Sequence, residues 1–141
     1  MPSMACGCKI ARSDVGDRPQ GNDAMRPRHA LIIEDEILIA VEIEALLKEQ
    51  GFETVDIADS PMAALDCALR RKPDLITADY RIVGGTGVEA VSTIMAHIGP
   101  VPVVYVTGHA GCLEAGSTAP VVAKPILPNV LSGAWREAIA A

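Results

Sequence analysis

Short apolar runs that alternate with stretches of helical period constrain this chain more than any other feature. The runs are His29 to Ile33, Glu53 to Ala58, Leu75 to Asp79, Val101 to Val106 and Val121 to Ala123. Each is a few residues long, rich in β-branched, apolar or small residues, and stops abruptly at polar or turn residues, which predicts strands. Between them, Ile39, Ile43, Leu46 and Leu47 recur at helical spacing and Gly51 supplies a stop. Asp59-Ser60-Pro61 opens a second helix, which runs to Arg70-Arg71-Lys72 and is closed by Pro73. Val91, Ile94, Met95 and Ile98 share one side of a third, and Leu131, Trp135 and Ile139 are the expected inward residues of the last. Only Cys112 to Ala115 reads as helical in the Gly- and Ala-rich stretch between the fourth and fifth strands. The alternation predicts an α/β fold: a doubly wound five-stranded parallel sheet with helices on both faces and a shortened or mobile fourth helix. Right-handed crossovers then bring every strand C-terminus to one edge.

The residues at which the strands stop are informative together. The first strand ends on Glu34-Asp35-Glu36, the third on Asp79, the fourth on Thr107-Gly108 and the fifth on Lys124. Each has a plain reading. An Asp at a strand end is a common turn or cap residue, and acids before a helix suit its positive end. Collected at one edge, the carboxylates would repel one another without a cation, and a small cluster of hard oxygen ligands suits Mg²⁺. A hydroxyl, backbone amides beside Gly108 and an ammonium are what a phosphoryl group needs around it. A carboxylate can also accept such a group covalently.

The chain has 141 residues, enough for one domain with a real core, and half of it is hydrophobic. Aromatics make up only 3%, so Ile, Val, Leu and Ala must build that core. A formal charge of −6 disfavours nonspecific binding to nucleic acid. No apolar run approaches the ~20 residues of a membrane span, and the N-terminus lacks the apolar core of a signal peptide. A cytoplasmic setting is therefore expected. The four cysteines suggest no disulfide framework; Cys67 reads as a small buried apolar residue, and Cys6-Gly7-Cys8 supplies too few ligands for a metal site. Residues 1–27 have no periodicity and read as a disordered leader ahead of a domain spanning 28–141; Met25 stands just before the first strand as a candidate start.

The motifs Leu31-Ile32-Ile33-Glu34-Asp35-Glu36, Asp74-Leu75-Ile76-Thr77-Ala78-Asp79-Tyr80, Gly87, Val103-Val104-Tyr105-Val106-Thr107-Gly108 and Ala123-Lys124-Pro125 occur in a fixed order. Over His29 to Ile139 the chain resembles a response-regulator receiver domain of a bacterial two-component system, with a flavodoxin-like (βα)5 fold. The resemblance implies that Asp79 is the phosphoacceptor. It implies that Glu34, Asp35, Asp79 and the backbone carbonyl of Arg81 hold Mg²⁺. Thr107 resembles the switch hydroxyl and Lys124 the phosphate-pairing lysine, with a cis bond to Pro125. Arg81 and His109, two residues beyond Asp79 and Thr107, occupy positions that tune hydrolysis in the family. Glu36 has no direct role by this mapping.

There are departures. The aromatic switch residue of many receivers is replaced by Val121, and the Pro usual near Val83 is absent. Tyr105-Val106-Thr107-Gly108-His109 is similar to the strand-four motif of the alphaproteobacterial FAT GUY variant, whose members often act with HWE-type histidine kinases. The implied function is that of a single-domain response regulator, phosphorylated by a histidine kinase and signalling by contact with a downstream protein. A phosphate sink, a relay intermediate or a phosphorylation-independent module of the same fold are the alternatives. The implied state is a monomer or weak dimer without nucleic-acid or membrane partners. Beyond self-phosphorylation and self-dephosphorylation no enzyme activity is expected, because Arg81 stands where a phosphatase acting on other molecules would carry a second carboxylate.

Overall fold

The computed structural model describes residues 9–10, 28–82, 84–108 and 119–140. Among them are β1 (Lys9–Ile10), β2 (Arg28–Ile33), α1 (Ile37–Glu49), β3 (Phe52–Ala58), α2 (Pro61–Arg70) and β4 (Leu75–Asp79). There follow β5 (Arg81–Ile82), β6 (Gly85–Thr86), α3 (Gly87–Ile98), β7 (Val103–Thr107), β8 (Val121–Ala123) and α4 (Pro128–Ala140). The main sheet has the order β1-β3-β2-β4-β7-β8. Its strands from β3 to β8 run parallel, so the predicted five-stranded doubly wound sheet is present. The segment read as a short fourth helix lies outside the described residues.

Local chemistry accounts for the boundaries. The Ser60 side chain accepts from the Ala63 N–H at the start of α2, and Pro61 occupies the first turn. Thr86 and Glu89 form a reciprocal capping box at the start of α3. Alternate residues of the central strands feed two cores. Ala30 and Ile32 pack with α1 and α4, whereas Leu31 and Ile33 pack with α2 and α3. Side chains of a strand point alternately to opposite faces, so a strand covered on both sides must be apolar throughout. Trp135 anchors one core, edge-on to Phe52 at 5.0 Å, with its indole N–H donating to Gln50 Oε1.

Four sequence expectations need correcting. Ile139 is more than a third exposed, and the inward stripe of α4 is Leu131, Ala134, Trp135 and Ala138. A helix presents i, i+3, i+4 and i+7 to one side, and Ala138 rather than Ile139 holds the last of these positions. Lys9–Ile10, within the stretch read as a disordered leader, pairs antiparallel with Ile57 and Asp56 of β3, covering backbone groups of a strand that would otherwise form the sheet edge. Cys67 is buried as expected, but it is disulfide-bonded and not a free thiol. Such pairing depends on approach in space, which sequence spacing does not report. Finally, the loop expected after Asp79 contains a two-stranded antiparallel pair, Arg81 with Thr86 and Ile82 with Gly85. Gly84 lies inside it at φ 90°, in the left-handed region that glycine enters without a Cβ penalty.

At the N-terminal ends of the strands lies a buried polar cluster. His29 Nδ1 meets Thr54 Oγ1 at 2.8 Å and Nε2 meets Asp56 Oδ2 at 3.1 Å. The His29 N–H donates to Asp74 Oδ2 at 2.8 Å. This cluster ties β2 to β3 and to the approach of β4.

Candidate functional site

The opposite edge is assembled by the strand order. With β4 central, β2 delivers carboxylates on one side, and β7 and β8 deliver a hydroxyl and an ammonium on the other. Glu34 follows β2 directly, and its N–H donates to Ala58 O at 2.9 Å, which fixes where its buried side chain starts. Asp79 is the last residue of β4 and pairs in register with Val106 of β7. Glu34, Asp35 and Asp79 offer one carboxylate oxygen each within 4.8 Å of one another. Thr107 ends β7 and is buried. The Lys124 N–H donates to Thr107 O at 3.0 Å, so the two are set side by side by the ladder itself. The Lys124–Pro125 peptide is cis.

Gly87 holds Asp79 from behind. A Cβ on Gly87 would sit 2.0 Å from the Asp79 carbonyl oxygen and 3.1 Å from Ala78 Cβ. The first turn of α3 therefore abuts the backbone of β4, and only a residue without a Cβ allows it. The Gly87 N–H donates to Tyr80 O at 2.7 Å, closing the turn.

Lys124 is the electrostatic hub. Its Nζ donates to Asp79 Oδ2 at 3.1 Å and lies 3.3 Å from Glu34 Oε1 and 3.6 Å from Glu36 Oε1. Burial works against its charge, but the bond to Asp79 and the charges of Glu34 and Asp79 outweigh burial and hold its pKa above the ordinary lysine value. Burial and then the Asp79 charge push Glu34 up to about 7; the Glu36 N–H and the Lys124 charge only partly oppose them. Glu34 Oε1 has no hydrogen-bond partner, since its approach to Lys124 is an ion contact without hydrogen-bond geometry. A buried carboxylate oxygen with a free lone pair, beside two further carboxylates, fits a hard divalent cation.

A pocket of about 260 Å³ opens over these groups, lined by Glu36, Asp79, Tyr80, Arg81, Thr107, Gly108 and Lys124. Among the residues singled out in sequence, Glu34, Asp35, Asp79, Thr107 and Lys124 converge. Arg81 lines the pocket with an exposed side chain. His109 lies outside the described residues. Two residues were missed. Tyr80 lines the pocket, and Glu36 reaches Lys124 although the family mapping assigned it nothing. The run of three acids was the only signal for Glu36. At the position of the missing aromatic, Val121 is exposed and stands in register with the buried Tyr105 on β7.

Residues 30–134 match the response regulator receiver domain. The chain belongs to that family. Among curated relatives, the transcriptional regulatory protein PdtaR of Mycobacterium tuberculosis is 32% identical over 111 residues, covering 78% of this chain and 54% of that protein. The phyllosphere-induced regulator PhyR of Methylorubrum extorquens is 33% identical over 114 residues, covering 77% of this chain and 42% of that protein. The chain thus spans about half the length of these relatives. The solution structure of the receiver domain of Erythrobacter litoralis PhyR superposes with a TM-score of 0.75 at 29% identity, covering 83% of this chain and 93% of that domain. As a receiver, the chain carries the family's acidic cluster on the strands where that fold presents it. No helix among the described residues is long and apolar enough to cross a membrane.

Proposed function

We propose that Asp79 accepts a phosphoryl group from the phosphohistidine of a histidine kinase, and that the protein signals through contact with a downstream protein. The observation that carries this reading is the bond from Lys124 Nζ to Asp79 Oδ2 at 3.1 Å, at the mouth of a pocket that Thr107 also lines. An Asp79 carboxylate oxygen attacks phosphorus, the P–N bond to the kinase imidazole breaks, and the imidazole leaves with its electron pair and takes up a proton. Lys124 pairs with the phosphoryl oxygens, and Thr107 and the backbone amides at Gly108 donate to them. Glu34, Asp35, Asp79 and the Arg81 carbonyl would hold Mg²⁺, which would offset the negative charge that accumulates as two anions meet. Later, water attacks phosphorus and the acyl phosphate returns to carboxylate and inorganic phosphate. Arg81 at the pocket wall and His109 are positioned in sequence to influence that water.

The donor class suggested by the Tyr105 to His109 motif is an HWE-type kinase, in a cytoplasmic setting. The protein then has no separate substrate, in line with the arginine at position 81. A receiver fold kept only as an interaction module would not need carboxylates, hydroxyl and ammonium together. Intact mass after incubation with acetyl phosphate and Mg²⁺, or with a phosphorylated kinase, should show one added phosphoryl group on the wild type and none on Asp79→Asn. Equal labelling of the variant would assign the acceptor elsewhere.

A further inference from the structure

We propose that Glu36 is a charge gate at the mouth of the site: it shares Lys124 with Asp79 before phosphorylation and penalises anionic phosphoryl donors as they enter. The inference rests on the reading of Asp79 as acceptor and adds a residue to which the family mapping gives no task.

Three observations carry it. First, Glu36 is the N-cap of α1, where a side chain normally caps the free N–H groups of the first turn, yet it makes no capping bond. Its carboxylate instead lies 3.6 Å from Lys124 Nζ. A capping bond therefore does not explain where this side chain goes. Second, its backbone is fixed at both polar atoms. The N–H donates to Glu34 Oε2 at 3.2 Å, and the carbonyl accepts from the Ala40 N–H at 3.0 Å. Third, the side chain is 67% exposed and lines the pocket, while the cation-type cluster consists of Glu34, Asp35 and Asp79 without it.

Glu36 therefore borders the path by which a phosphoryl donor must reach Asp79, and its charge opposes that donor. It also competes for the ammonium that the phosphoryl oxygens must recruit. A unit charge several ångströms away in a largely aqueous setting changes such an encounter by roughly three- to tenfold, and salt screens it. The penalty grows with donor charge. It falls on acetyl phosphate, a dianion near neutral pH, more than on phosphoramidate, a monoanion there.

Initial rates of phosphorylation by these two donors, with Mg²⁺, on the full chain test this. Glu36→Gln should raise the acetyl phosphate rate about three- to tenfold and the phosphoramidate rate clearly less, with the gap closing at high salt. Glu36→Asp, which keeps the charge, should keep the wild-type ratio between donors. Calorimetric titration with MgCl₂ alone should show an affinity changed by less than about threefold in Glu36→Gln, because the residue lies outside the carboxylate trio. An unchanged ratio between donors overturns the inference, as does a loss of Mg²⁺ affinity of about tenfold or more, which would make Glu36 act through the cation. A wild type labelled by neither donor overturns the acceptor reading, and this inference with it. A labelled wild type with an unmoved variant overturns the inference alone.

Discussion

The two ends of the sheet carry two polar clusters of opposite character. At the N-terminal end, His29, Thr54, Asp56 and Asp74 close on one another in the interior. At the C-terminal end, Lys124 faces Glu34, Glu36 and Asp79 under an open pocket. Burial does not separate them: His29, Asp56 and Glu34 are each at most 3% exposed. Neither does an orphan atom, since Asp56 Oδ1 and Glu34 Oε1 both lack a hydrogen bond. The difference is composition and access. One cluster joins a carboxylate to an imidazole inside packed strands and serves as a clasp. The other has more carboxylates than its ammonium can satisfy, with room for what would complete it.

Removing the central cationic or imidazole group from each end is the sharpest way to break this comparison. Lys124→Met should reduce phosphoryl incorporation on the order of a hundredfold or more, and, by leaving Glu34 and Asp79 without their shared ammonium, should also lower the thermal midpoint. His29→Ala should affect stability alone. It leaves Asp56 buried without its partner, at a cost of about 3–5 kcal/mol in urea unfolding, while folded molecules should still label at close to the wild-type rate. If His29→Ala abolishes labelling of protein shown to be folded, the two ends are coupled and the clasp reading fails.

A smaller effect is expected from Gly87→Ala. The added Cβ must displace the Asp79 carbonyl, so stability should fall by about 1–3 kcal/mol, and labelling should drop as the Asp79 carboxylate, the proposed acceptor, shifts. A crystal structure of the variant with Asp79 unmoved would contradict this.

The smallest expected effect is a dependence on pH set by Glu34. Glu34 is pushed up to about 7 in the folded, metal-free protein, above the ordinary 4.5. The folded state thus holds this proton more tightly than the unfolded chain does. The contribution to stability is full below 4.5 and is lost as pH rises through about 7. Glu34→Gln should flatten the stability of the metal-free protein across that window. In the wild type, Mg²⁺ must displace the same proton, so its affinity should weaken as pH falls below about 7. A pH-independent Mg²⁺ affinity between about pH 5 and 8, the interval that brackets Glu34 titration, would remove Glu34 from the ligand set.

The C-terminal end was legible in sequence because parallel strands deliver their last residues to one place. It was enough to note where Ile33, Ala78, Val106 and Ala123 give way to polar neighbours. What could not be read depends on side-chain direction or on distant approach. Glu36 sits one step beyond a strand, at a helix start where acids are ordinary, and only its turn toward Lys124 distinguishes it. The clasp at His29 was hidden because polar residues in β3 do not show in sequence which face or partner they meet, and pairing across β2 and β3 needs the register. Lys9–Ile10 was missed because two residues carry no period. Ile139 was misplaced because an alanine one step earlier holds the inward position.

Lys124 enters the site from β8, three residues long and, among the described residues, paired in the sheet with β7. Order of synthesis follows from this. Glu34, Asp35 and Asp79 leave the ribosome first, and the sheet from β3 to β7 can form around them. The charge that reconciles them arrives with the last of the described strands. Without β8 in place the carboxylates of Glu34 and Asp79 have no ammonium beside them; with it, the same three-residue strand completes the sheet edge and the ion pairs of Lys124 together.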